Sequence, residues 1–339
     1  MAIGFDAGTY HLVSCKKQGE EYIYKKEVNA FLEMPLENRF VFNMMNNAGV
    51  PLIENKEANV AYALGEKAVD MAYTMNQIEL KRPMKDGCLN PKERHAQQIM
   101  NVMAHSLIGE ISQNEEKLYY SVPANAINQE TDADYHSKIL QAMFKAYESE
   151  QGFKVDAYPI NEALALVYAE LTNKNWTGIG ISFGAGMVNL CYAIYGAPIF
   201  QFSLVNSGDW IDKMASKAIG EDTTTYVNKE KMKSDLTIDQ PDTLVQRAIK
   251  TQYEIMIQHT VNGIKQGLEN AGNKARSEEP IDIVIAGGTS MPVGFDKMFS
   301  TILDQSGISD NIKVGSVIRP NDPLFSVARG CYIAAENAT

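Results

Sequence analysis

Cysteine is scarce: the four present, Cys15, Cys88, Cys191 and Cys331, are far apart and show no C-x-x-C spacing. That pattern excludes a zinc site and a disulfide framework as expectations, and it suits a reducing cytoplasmic compartment. Long apolar runs are missing too, whereas a membrane helix needs about 18 or more such residues. β-type residues begin at residue 2 or 3, so neither a signal peptide nor an amphipathic anchor is expected ahead of the first strand. Positive charge is sparse. The net charge is -11, and the pairs Lys16-Lys17, Lys25-Lys26 and Lys81-Arg82 are scattered. No basic stripe forms, so nucleic acid is not an expected partner. His11 and His95 read as surface residues, not as ligands.

What is present is ordinary in bulk and particular in detail. Hydrophobic residues make up 45% and charged residues 22% of 339 residues, a soluble globular composition for which two domains are the natural expectation. Residues 177–195 form two β-type runs joined by Gly184-Ala185-Gly186, and glycine supplies the backbone freedom of a tight hairpin turn. Consecutive N–H groups in such a turn can make an anion-binding nest. Residues 3–14 repeat the layout, with Asp6 entering the turn and Thr9 following Gly8. Two glycine hairpins, one in each half, suggest similar half-molecules facing one ligand. A carboxylate and a hydroxyl beside a phosphate-sized turn suit hydrated Mg²⁺.

The rest of the chain alternates. Strands are expected at 21–28, 40–43, 117–122, 153–159, 200–205 and 281–286. Helices are expected at 60–73, 92–110, 132–151, 162–171, 210–219, 243–271, 294–305 and 322–336. Residues 221–240 read as irregular and polar, and 81–87 as a loop broken by Pro83 and Gly87. The order predicts mixed sheets flanked by helices.

Five segments then resemble the actin-like ATPase superfamily. Asp6-Ala7-Gly8-Thr9 is similar to its first phosphate hairpin and residues 181–189 to its second. Asn161-Glu162-Ala163-Leu164-Ala165 resembles the interdomain segment bearing the catalytic glutamate. Ile285-Ala286-Gly287-Gly288-Thr289-Ser290 resembles the adenosine turn, and residues 322–330 the closing helix. Within the superfamily the nearest resemblance is to the bacterial actins, MreB and MamK. Arg82-Pro83-Met84-Lys85-Asp86-Gly87 is similar to an MreB loop, Ser207-Gly208-Asp209 to the glycine–aspartate motif, and Glu230-Lys231-Met232-Lys233 to the pair flanking adenosine. The resemblance spans nearly the whole chain.

It implies a two-domain fold of paired ribonuclease-H-like domains: residues 1–158 with 322–339 packing back on them, and residues 159–321 with a subdomain inserted at about 207–280. It also implies ATP and Mg²⁺ in the cleft between them. Asp6 would hold the metal, Glu162 would polarise the attacking water, and Gly8, Thr9, Gly184, Ala185 and Gly186 would cradle the phosphates. Gly208, Glu230, Lys233, Gly287, Gly288 and Thr289 would surround the nucleoside. The expected activity is nucleotide-gated assembly into cytoplasmic cytoskeletal filaments, with an adaptor protein as a further partner. The alternative is a chaperone-like or reactivating ATPase, against which the missing peptide-binding domain counts. A small-molecule kinase would need substrate insertions that the chain lacks. In the family an aspartate usually stands where this chain has Ser182, a glycine at Ala185 and a threonine at Met187. The expectation from these departures is retained binding with slowed hydrolysis.

Overall fold

The computed structural model describes residues 2–37, 39–74, 80–93, 95–113, 115–149, 152–308 and 312–338. The chain opens with β1 (Ala2–Ala7), β2 (His11–Gln18), β3 (Glu21–Val28), β4 (Phe31–Pro35), α1 (Arg39–Asn47), β5 (Leu52–Asn55), β6 (Val60–Leu64), α2 (Gly65–Thr74), β7 (Met84–Lys85) and β8 (Cys88–Leu89). It continues through α3 (Ala96–Ile108), β9 (Glu116–Val122), α4 (Ala133–Lys145), β10 (Val155–Asn161) and α5 (Glu162–Glu170). The second half holds β11 (Gly178–Phe183), β12 (Val188–Ile194), β13 (Ala197–Leu204), α6 (Gly208–Ile219), α7 (Thr225–Lys231) and α8 (Leu244–Ala271). It ends with β14 (Ile281–Ala286), α9 (Phe295–Gln305), β15 (Val314–Ile318) and α10 (Ser326–Glu336).

Two five-stranded sheets share one topology. The first runs β3-β2-β1-β9-β10 and the second β13-β12-β11-β14-β15. In each, the three strands of the hairpin meander are antiparallel and the last two joins are parallel. The central strands β11 and β14 are buried along their whole length. Their unbroken apolar character follows from being covered on both faces.

The halves also exchange helices. Helix α5 leaves the first sheet and packs on β11 and β12, while α10 leaves the second and packs on β1, β9 and β2. Glycines make both approaches close enough. A Cβ at Gly180 would strike Ala163 O, and one at Gly4 would strike Ala328 O and the backbone of Tyr332. The two helices meet at Gly330, where a Cβ would collide with Ala165 O.

Some local expectations fail for identifiable reasons. Residues 40–43 lie in α1, not in a strand. Val41, Phe42 and Met45 pack on Leu32, Met34 and Ala61, a helical spacing that a four-residue apolar run cannot reveal. The helix expected over 60–73 begins as β6 and turns helical only at Gly65, whose φ is 73°. There the Glu27 carboxylate accepts from Glu66 N at 2.8 Å and caps the new helix. The irregular stretch 221–240 contains α7, and β4, β5 and β15 had no expected counterpart. The helix expected over 132–151 ends at Lys145, and residues 150–151 lie outside the described ones. Residue 94, inside the helix expected over 92–110, does so as well.

Candidate functional site

The two hairpin turns lie at the same position of their respective sheets. In the first, Asp6 pairs with Val13 and Ala7 with Leu12. In the second, Ser182 pairs with Asn189 and Phe183 with Val188. The turns touch: a Cβ at Gly186 would come within 2.5 Å of both Thr9 Oγ1 and Gly87 N. Glycine is required there, because any side chain would wedge the hairpins and the 82–89 loop apart. Met187 lies over Gly87 and is buried.

Each turn is fastened by its carbonyls. Asn29 Nδ2 donates to Gly8 O at 3.0 Å. Gly184 O accepts from Ser207 Oγ at 2.5 Å and from Thr289 Oγ1 at 2.7 Å. Ala185 O accepts from Asp209 N at 2.8 Å, which ties the second turn to the start of α6. Among the described residues, the N–H groups of Gly8, Thr9, Ala185 and Gly186 donate to no acceptor. Oriented main-chain donors of that kind form a cradle for an anion.

Two carboxyls stand at this junction. Asp6 Oδ1 accepts from Ser121 Oγ at 2.7 Å. Glu162, in the first turn of α5, accepts from Ser182 Oγ at 2.5 Å and from Asn189 Nδ2 at 2.7 Å. Asn161 caps that helix by accepting from Ala163 N and Leu164 N, which sets where Glu162 emerges. Loss of hydration pushes both carboxyls above their ordinary range; for Glu162 the negative charge of Asp6 adds to it and the Ser182 hydroxyl partly offsets it. Both keep a half-open face. Among the described residues neither has a basic partner. Two adjacent acids without a cation, beside unpaired main-chain donors, fit Mg²⁺ held by one or two carboxylates and phosphate oxygens. Among the described residues, no cluster of three or more metal-ligating side chains could hold a metal by itself.

The nucleoside side is less complete. Gly208, Thr289 and Gly184 are in mutual contact. Gly287 has a φ of 93° and its Cβ would meet the backbone of Phe183, while Gly288 faces open space. Glu230 and Lys233 pair with each other at 2.8 Å, Lys233 being exposed and Glu230 half-buried. Lys231 between them points inward. Its Nζ donates to Gly208 O at 2.9 Å and pairs with Asp212 at 2.7 Å, both side chains being buried.

The residues that the sequence reading missed are therefore Ser121, Asn189, Lys231 and Asp212. Hairpin register could have found Asn189, because the residue opposite Ser182 follows from the turn. Arg82 is also placed at the junction, bidentate on Asp209 at 2.7 and 3.1 Å. A separate groove of about 490 Å³ lies between β13 and α8, beside Phe200, Phe202, Gly263 and Gly267; none of the turn residues lines it.

Residues 1–335 match the family model described as Volactin. A search of curated proteins found no match. Among solved structures, the chain is similar to a MamK double helical filament, with a TM-score of 0.73, 18% identity and 99% of each chain covered. It is similar to a non-polymerising MamK mutant bound to AMPPNP, with a TM-score of 0.57 and 17% identity over 99% of this chain and 98% of that one. The ethanolamine utilization protein EutJ from Carboxydothermus hydrogenoformans gives a TM-score of 0.50 and 14% identity over 98% of this chain and 89% of that one.

Proposed function

The chain belongs to the Volactin family and has the two-domain actin-like ATPase fold, and on that premise we propose that it binds ATP with Mg²⁺, assembles into filaments when loaded and hydrolyses the nucleotide slowly. The observation that carries this reading is the meeting of the two hairpin turns at Thr9, Gly87 and Gly186, with unpaired main-chain donors and two cation-less carboxyls beside them.

Bound Mg²⁺ and ATP would supply a γ-phosphoryl group with its charge partly offset, ready for attack by water. The N–H groups of Gly8, Thr9, Ala185 and Gly186 would hold phosphate oxygens, and Asp6 would face the metal. Glu162 would orient the water and take its proton, which requires the carboxyl to be ionised. Ser182 offers no negative charge where the family usually has an aspartate, which supports slow turnover. Gly208, Gly287, Gly288 and Thr289 would border the nucleoside. Lys231 is better placed there than Glu230 and Lys233.

Residues 1–158 with 322–339 and residues 159–321 would act as the two lobes, and their closure would set the surface that self-associates. Heterologous contacts that do not close into a ring give open filaments. Among the similar structures, one is a MamK double helical filament and another a non-polymerising MamK mutant bound to AMPPNP. The assembly would be cytoskeletal, with an adaptor linking it to cargo. Among the described residues no helix is long and apolar enough to cross a membrane.

Sedimentation tests the proposal with Mg²⁺–ATP, with Mg²⁺–ADP and without nucleotide. Pelleting that requires ATP, followed by slow loss of the pellet as phosphate is released, is the expected result. Soluble protein under all three conditions would overturn the filament reading.

A further inference from the structure

We propose that Ser182 and Asn189 are positioning residues for Glu162, gripping its two carboxyl oxygens from directly opposed places on β11 and β12. The inference rests on the ATP-hydrolysing reading of this site.

The geometry begins with register. Ser182 and Asn189 are paired across the hairpin, so their side chains emerge side by side on one face of the sheet. Helix α5 crosses that face and delivers Glu162 between them. Ser182 Oγ reaches Oε1 at 2.5 Å and Asn189 Nδ2 reaches Oε2 at 2.7 Å. Ser182 and Asn189 are each 2% exposed, so no solvent competes for either donor. With one donor on each oxygen the carboxyl plane is fixed, and each oxygen keeps a second lone pair for water.

The grip is itself braced. Asn189 Oδ1 accepts from the buried Ser203 hydroxyl on β13, which directs the Asn189 amide N–H toward Glu162. Ser203 in turn exchanges main-chain hydrogen bonds with the segment after β9: its N–H donates to Asn125 O, and its carbonyl accepts from Ile127 N. Segment 125–127 follows the strand that carries Ser121, the Asp6 partner. One chain of bonds thus runs from the carboxyl that would meet water to the segment joining the two sheets.

A donor pair that merely satisfied a buried acid would matter to stability alone. A positioning pair matters to turnover, because misplacing a catalytic group by about 1 Å can cost on the order of a hundredfold in rate. The experiment compares full-length Ser182→Ala, Asn189→Ala and Ser182→Thr with the parent chain. One arm is steady-state ATP hydrolysis. The other is a nucleotide-free double-mutant cycle of Ser182→Ala and Asn189→Ala against Glu162→Ala by denaturant unfolding.

Each alanine variant is expected to lower kcat about tenfold or more with KM within about threefold, and Ser182→Thr, which keeps the hydroxyl, to recover most of it. Each pair is expected to couple about fivefold in the unfolding equilibrium constant. Unchanged kcat in both alanine variants would overturn the positioning role. Missing coupling with parent turnover intact would overturn the grip and leave the ATPase reading standing. Intact coupling in a parent chain that binds but never hydrolyses ATP would overturn the ATPase reading and reduce the pair to a structural tie.

Discussion

The two half-molecules are alike in backbone and unlike in chemistry at one level of the sheet. Both run meander, parallel strand, parallel strand, and both carry a glycine, Gly4 or Gly180, where the other half's helix lies down. At the turn-proximal position the first half has Asp6 opposite Val13, with Ser121 beside it on β9. The second half has Ser182 opposite Asn189, with Ala286 beside it on β14. One half therefore presents a carboxylate held by a neighbouring strand. The other presents donors that hold a carboxylate brought in by a helix. The repetition sets two similar turns against each other, and the divergence makes the chemistry of their two walls different.

The glycines are where the halves agree, and substitution there has the largest expected effect. Gly4→Val and Gly180→Val should each lose at least about 3 kcal/mol of stability, since the added carbons meet backbone that cannot move aside. Denaturant unfolding of both variants checks this. A large loss at one position with none at the other would break the claimed equivalence of α5 and α10.

The next test makes the halves alike where they differ. Ser182→Asp should remove a donor from Glu162 and set a second negative charge beside it. Without Mg²⁺ the variant should lose about 2 kcal/mol, from like-charge repulsion and the forfeited hydrogen bond, and Mg²⁺ should restore part of that. Thermal unfolding with and without Mg²⁺ distinguishes the terms. A variant as stable as the parent in metal-free buffer would mean that Glu162 is not confined as described.

The fold was legible because its strongest signals are local. Glycine turns flanked by β-type runs, and long periodic helices such as α8, need no tertiary information to be read. Element type failed where it depends on a partner: α1 is helical because its apolar face meets β4 and β6, which lie elsewhere in the chain. The site divided the same way. Asp6, Glu162 and the turn glycines stand in motifs, whereas Ser121 and Asn189 matter only through register and a helix crossing. Glu230 and Lys233, singled out by motif spacing, pair with each other, and the inward side chain of this stretch is Lys231, because a shift of one residue on a helix turns a side chain by about 100°. That brings Lys231 inward and leaves Glu230 and Lys233 more exposed than it is.

Glu162 itself sharpens the contrast through pH. In the unfolded chain a glutamate ionises near pH ~4.3, while in the fold burial and Asp6 raise that point. Above the unfolded value the native state holds its proton more tightly, so raising the pH through the folded pKa removes stability. Glu162→Gln, which can still accept from Asn189 and bond Ser182, lacks that slope. The nucleotide-free variant should match the parent near pH 4 and exceed it by about 1 kcal/mol at pH 8, a figure discounted for the half-open face. At the same time ATP hydrolysis should fall at least about a hundredfold. Parallel stability curves for the two proteins between pH 4 and 8 would sink the assignment of a raised carboxyl.

The smallest expected effect concerns what ties the two halves together at the mouth of the site. Arg82, just before β7, grips Asp209 on α6, and both side chains are about a quarter exposed, at 26% and 28%. Partly hydrated pairs contribute up to about 1 kcal/mol and the bidentate geometry puts this one at the upper end, so Arg82→Ala should cost about 1 kcal/mol. Its melting point should drop by a few degrees at most, and less in high salt, where screening has already weakened the parent. The consequence to measure is nucleotide dissociation. Asp209 N supports Ala185 O, so freeing the aspartate loosens the second turn without touching the first. A fluorescent ATP analogue should leave Arg82→Ala about two- to threefold faster than the parent, a change of under about 1 kcal/mol. Unchanged release would confine the pair to the surface, whereas a tenfold change would mean that the second turn depends on the first half far more than its own carbonyl bonds indicate.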